Sequence, residues 1–140
     1  MKNMEEYEKD FLLFLECGFI AVSQLDDFSA RDLFAAAKLL HPENTLLTIA
    51  DGYVHFTKMQ LEEAAKSFEA VLKKEPNNEM AKTFLGLTLS LIPKSMEKGE
   101  KMLKETGAHS HDPAVKKLTE DSVAFVDMHL KHHSPPMKGK

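Results

Sequence analysis

Along most of this chain apolar residues return every three or four positions, the step of a helix with one buried face, and no convincing stretch alternates with the step of two that a half-buried strand shows. The pattern predicts helices over about Met4 to Gln24, Ser29 to Leu40, Thr45 to Thr57, Leu61 to Lys74, Glu79 to Leu91, Met96 to Thr106 and Asp112 to His132. Start signals support these limits. Ser29 with Asp32 resembles a capping arrangement, Asn44, Asn78 and Ser95 stand as caps, and Asp112-Pro113 joins a cap to a proline in the first turn. Pro42 and Pro76 follow the second and fourth helices, which proline cannot continue because it lacks an N–H and collides with the preceding turn.

The helices repeat. Gly18, Gly52 and Gly86 are evenly spaced, and the interval between them also separates Ala30 from Ala64, Phe34 from Phe68, Ala37 from Val71 and Pro42 from Pro76. The segments His41-Pro42-Glu43-Asn44 and Glu75-Pro76-Asn77-Asn78 hold the same place in successive repeats. That interval, about 34 residues, is the period of the tetratricopeptide (TPR) helix–turn–helix repeat. A glycine in one helix lets the next approach closely, a small alanine receives that approach, and a phenylalanine fills the space between them. The expected fold is an all-α solenoid of three repeats, about 11–44, 45–78 and 79–112, closed by a capping helix over about 113–132. These form one domain over 1–133, with a disordered tail over 134–140. In the third repeat strict phase lands on Lys98 and Met102. A one-residue slip restores Gly99 and Leu103, so a longer turn is expected around Pro93. The last helix carries Val115, Leu118, Phe125, Val126 and Leu130, an apolar stripe suited to covering the end of the array.

The first helix of each pair should line a concave wall, and a second lattice of residues is available for it. It reads Leu12, Leu46, Met80; then Leu15, Ile49, Thr83; then Phe19, Tyr53, Leu87; and at the last offset Val22, Phe56, Ser90. Spacings of three, four and three along each helix put the four residues on one stripe. A wall of this composition wants an apolar ligand, and the amphipathic helix is the natural one. About 400 Å² of such surface, at roughly 25 cal/mol per Å², represents about 10 kcal/mol of gross burial. Only part of that becomes affinity, since ordering a ligand opposes it. The competing assignment makes part of the stripe internal core.

Charge narrows the classes. Lys plus Arg number 18 against 22 acids, a net charge of -4. That is a poor balance for wrapping nucleic acid, which needs a basic excess. No run is long and apolar enough for a membrane span, and the acidic start lacks the features of a signal peptide. Cys17 is alone, which excludes an internal disulfide and suits a reducing compartment. Beside the packed Gly18 it is expected to behave as a small buried hydrophobe. Asp51 holds the equivalent place before Gly52, odd for a packing position unless it has a hydrogen-bond partner or solvent. Glu62-Glu63 and Lys73-Lys74 bracket one helix in the sense its dipole favours and read as a solvated face. His109, His111, His129, His132 and His133 include ligand spacings on a helix, but without a paired acid or thiolate they are read as no metal site. No phosphate loop or nucleophile elbow appears, and neither a catalytic residue nor a cofactor is assigned.

The pieces Ala36-Ala37-Lys38-Leu39-Leu40-His41-Pro42-Glu43, Ala50-Asp51-Gly52-Tyr53 and Ala81-Lys82-Thr83-Phe84-Leu85-Gly86-Leu87 resemble the tetratricopeptide chaperones of bacterial type III secretion systems. Within that family they look like the branch that serves the needle subunit, over Phe11 to Gly107. The resemblance implies a non-enzymatic virulence-system chaperone of the bacterial cytoplasm. A groove would hold the amphipathic carboxyl-terminal helix of the needle protein and block premature polymerisation, while a small helical co-chaperone packs on the amino-terminal part. The broken third repeat and the basic, His-rich tail have no counterpart in it. The alternatives are the chaperone class for translocator proteins, which grips an extended segment, a generic TPR interaction scaffold, and a metal protein or enzyme using the histidines.

Overall fold

The computed structural model describes residues 3–131. The expected tail, His132 and His133 lie outside the described residues. Over the described span the chain is all-α, with α1 (Met4–Ser23), α2 (Asp27–Leu40), α3 (Thr45–Thr57), α4 (Leu61–Lys74), α5 (Glu79–Ser90), α6 (Met96–His109) and α7 (Pro113–Phe125), and no strand among those residues. No helix there is long and apolar enough to cross a membrane. The helices group into two compact units, divided within α4 between Ser67 and Phe68.

Side-chain caps set most of the helix starts. Asn3 accepts from the Glu6 backbone N–H, and Glu6 reaches back to that of Asn3, a reciprocal capping box. Asn44, Asn78 and Asp112, spaced by the repeat interval, cap α3, α5 and α7 as expected. Two expected caps differ. Asp26, not Ser29, caps α2, because an acceptor must stand outside the first turn; its carboxylate takes the Ser29 N–H at 3.0 Å. Ser95 precedes α6 without a side-chain hydrogen bond, since a short 3-10 turn over Pro93–Ser95 already leads the chain into the helix.

In the first unit, α1 and α3 end alike. Gln24 closes α1, Leu25 turns to φ 60°, and the Asp26 N–H returns to the Ala21 carbonyl at 2.8 Å. Lys58 closes α3, Met59 turns to φ 59°, and the Gln60 N–H returns to the His55 carbonyl at 2.9 Å. These are Schellman motifs with a non-glycine residue in the left-handed position. One period later the position is Pro93, whose ring forbids positive φ, so the chain takes the 3-10 turn instead.

The core of the first unit is aromatic. Phe11, Leu15, Ala37 and Ala50 are buried together, with Phe14, Phe19, Phe34 and Leu46 packed on them; Ala21, Val22 and Ala30 form a second cluster that Phe34 and Tyr53 join. The Phe34 ring lies so close over Gly18 that a β-carbon there would overlap it. The second unit stacks Phe68 on Phe84 at 5.5 Å and buries small and hydroxylated residues: Thr83, Thr88, Ser90, Thr106, Thr119 and Ser122. Gly99 and Leu103 are both buried, as the one-residue slip requires, with Leu103 against Gly86.

The last helix packs against α6 and α5, and of the stripe expected on it Val126 is buried, but not every member turns inward. Leu118 and Phe125, seven residues apart on one face, are exposed, whereas the buried face carries Thr119, Ser122 and Val126. After Phe125 the helix widens into one π-helical stretch over Val126–Lys131.

Candidate functional site

The eleven residues expected along the inner wall divide largely by phase, with Phe56, which shares the phase of buried Val22, the exception. In α1, Leu15 and Val22 are buried in the two core clusters, while Leu12 is 43% exposed and Phe19 half-buried. In α3, Ile49 is fully buried, while Leu46, Tyr53 and Phe56 are half-buried. In α5, Thr83 is buried with its hydroxyl on the Glu79 carbonyl at 2.8 Å, Met80 is 44% exposed and Leu87 half-buried. Leu15, Val22, Ile49 and Thr83 therefore offer no open surface. The physical reason is angular. At about 100° per residue, positions spaced three, four and three fan over roughly 80° of the helix, and one edge turns into the core. Residues seven apart deviate by only about 20°. Leu12 with Phe19, Leu46 with Tyr53 and Met80 with Leu87 therefore each stay on one line.

Within the first unit the accessible set is Leu12, Phe19, Leu46, Tyr53 and Phe56 on α1 and α3. Phe19 anchors it, with its ring 5.4 Å from Tyr53 and set edge-on to Phe34 at 5.6 Å. Apart from the Tyr53 hydroxyl these side chains carry no polar atom, so the row can bind by burial but cannot hold an anion. In the second unit Met80 and Leu87 continue the same phase along α5.

A second apolar surface was not singled out from the sequence. Where α1 begins and α2 ends, Met4, Tyr7, Phe11, Leu39 and Leu40, with Glu8 and His41 as the polar members, line a cavity of about 300 Å³; the His41 ring lies 5.3 Å from Phe11. Met4 is 85% and Leu39 87% exposed. The doublet Leu39-Leu40 was the available signal, since adjacent helical residues cannot both face one core.

The remaining candidates resolve individually. Cys17 is partly exposed rather than buried, because one residue before Gly18 on a helix points about 100° away from the packed face. Asp51 is exposed for the same reason, on the rim of a mixed-charge hollow with Arg31, Asp27 and Lys58, the last two paired at 3.3 Å. His109 is exposed on the Glu105 carbonyl at 2.8 Å, His111 is exposed, and His129 lies 4.9 Å from the Phe125 ring. Among the described residues no three His, Cys, Asp or Glu side chains are grouped to hold a metal ion. Glu62, Glu63, Lys73 and Lys74 are all exposed.

No protein-family model matches this chain, and no curated protein matches it.

Proposed function

We propose that this chain is a TPR chaperone of the type III secretion kind, binding the amphipathic helix of a self-assembling needle subunit in the bacterial cytoplasm. The observation that carries the reading is the open row Leu12, Phe19, Leu46, Tyr53 and Phe56, apolar apart from one hydroxyl and backed by a packed aromatic core. A preorganised apolar row of this kind suits a guest helix read through anchors at i, i+3, i+4 and i+7. A polymerising subunit has such a helix, and occupying it competes with assembly without making or breaking a bond. The cavity around Met4 and Leu39 supports the companion idea, a small helical co-chaperone seated on the amino-terminal helices.

The test is co-expression with the needle-type subunit of the same genome. The chaperone is expected to keep that subunit soluble and monomeric in a stoichiometric complex. Tyr53→Asp and Phe56→Asp are each expected to weaken the complex by about 100-fold or more, as for loss of a buried aromatic anchor, with helical circular dichroism unchanged. Normal binding by either variant, or a subunit that polymerises regardless, would overturn the reading.

A further inference from the structure

The open row changes character toward the start of α1. Leu12 and Phe19 are seven residues apart on one line of that helix, and Glu5 stands seven residues before Leu12 on the same line. Glu8 and Glu16, four residues either side of Leu12, flank it at about 40°. All three glutamates are exposed, and none pairs with a cation among the described residues. The other charges of α1 leave this flank negative. Lys9 stands about 60° from Leu12, on the side of Glu16; Glu6 is engaged in the capping box; Asp10 is turned about 160° away. On α3 the charged residue nearest the line of Leu46 and Tyr53 is Asp51, about 140° from Leu46. The row therefore has an acidic end at Glu5 and Glu8 and an aromatic end at Phe19, Tyr53 and Phe56.

A guest stripe that was apolar throughout would lay its end over Glu5 and Glu8 and strip water from two carboxylates without replacing it. Lys or Arg at that place would instead give a carboxylate a charge-assisted hydrogen bond, while its methylene stem continued the apolar contact. Near that end the cavity lined by Glu8 holds one basic group, His41, whose ring lies against Phe11. We propose that the guest helix carries Lys or Arg in line with its apolar stripe, at the end of the stripe that lies over Glu5 and Glu8. This rests on the reading of the row as the guest's seat, and it adds the charge pattern by which a guest is selected.

The experiment uses the full chain and two fluorescein-labelled amphipathic peptides of about 18 residues, long enough to span the open line of α1. Both carry Leu at i, i+3, i+4 and i+7. One continues the stripe with two Lys in the last turn, where a helix tolerates cations best, and the other with two Gln. Fluorescence anisotropy at low salt is expected to show the Lys peptide binding about fivefold tighter, the size of one or two exposed charge contacts, and the gap should close at high salt. Glu5→Gln with Glu8→Gln should remove the preference, and Glu5→Lys with Glu8→Lys should reverse it, with helical circular dichroism retained. Tyr53→Asp should weaken both peptides alike. Equal binding of the two peptides at low salt, or a preference that survives Glu5→Gln with Glu8→Gln, would overturn the inference and leave the row in place, provided Tyr53→Asp still weakens both. Binding of neither peptide, or binding that ignores Tyr53→Asp, would remove the row itself as the seat, and the inference with it.

Discussion

The two compact units bring their paired helices together by different means. In the first, space between α1 and α2 is filled by rings: Phe11, Phe14, Phe19 and Phe34 pack with small alanines, and Gly18 admits the Phe34 ring. In the second, α5 and α6 close almost backbone to backbone, with Gly99 against Gly86 and Ser90, and α6 meets α7 where Gly107 faces Thr119. The turns differ in the same sense. The first unit reverses through left-handed Leu25 and Met59, and the second through a proline-led 3-10 turn. One helical plan therefore tolerates two kinds of filling. The aromatic kind leaves half-buried rings at its surface, and the close-packed kind buries hydroxyls between its helices.

The contrast breaks most easily at the glycines. Gly99→Ala should destabilise the protein by about 3 kcal/mol, since its new methyl meets backbone atoms that cannot move aside. Gly18→Ala should cost about 1 kcal/mol, because a Phe34 ring can swing. Urea denaturation measures both, and equal costs would erase the distinction drawn between the units.

The turns offer a smaller effect of opposite sign. Leu25→Gly and Met59→Gly should each raise stability by about 0.5–1 kcal/mol by relieving left-handed strain that exceeds glycine's entropic penalty. A loss at either position would mean that its side chain contributes packing that outweighs the strain.

The smallest effect is a pH dependence at the start of α2. The Ser29 hydroxyl, and after it the Ser29 backbone N–H, hold the Asp26 carboxyl below its ordinary value, outweighing the slight opposing effect of burial. A folded-state pKa that is depressed stabilises the fold above the ordinary carboxylate value, and that contribution disappears as pH falls through the lowered one. Melting curves taken through the acid range should therefore show a slightly shallower decline for Asp26→Asn, which keeps the cap but has no proton to gain. Identical declines would show that the cap is not linked to protonation.

The helices were largely legible because their signals are local. Asn44, Asn78 and Asp112 mark starts by offering one oxygen to one N–H, and α3 and α4 begin and end where periodicity puts them. The slip to Gly99 and Leu103 was legible because only small residues let helices approach closely. The width of the open row was not legible. Leu15 and Leu12 are the same residue type, and only the core's angular extent decides which of them faces out. The last helix misled in the opposite direction, since its buried face carries Thr119 and Ser122 while Phe125 faces out. Hydropathy scores a hydroxyl as solvent-seeking, although on a helix it can satisfy itself internally. Leu25 and Met59 carry no local signal, because left-handed turns are recognised by glycine and neither is one.

The hydroxyls of the second unit have one more effect. Thr83, Thr88, Ser90 and Thr119 each donate to a carbonyl three or four residues earlier in their own helix. Sliding or lifting one of these helices off its neighbour would strand none of these donors, so these hydroxyls leave such movement to be opposed by lost van der Waals contact. A direct tether between elements is the Ser110 hydroxyl on the Glu79 carboxylate at 2.8 Å, which latches the end of α6 to the start of α5. The latch thus sits at one end of α5, a rod whose buried hydroxyls stay satisfied whether or not its neighbour is in place.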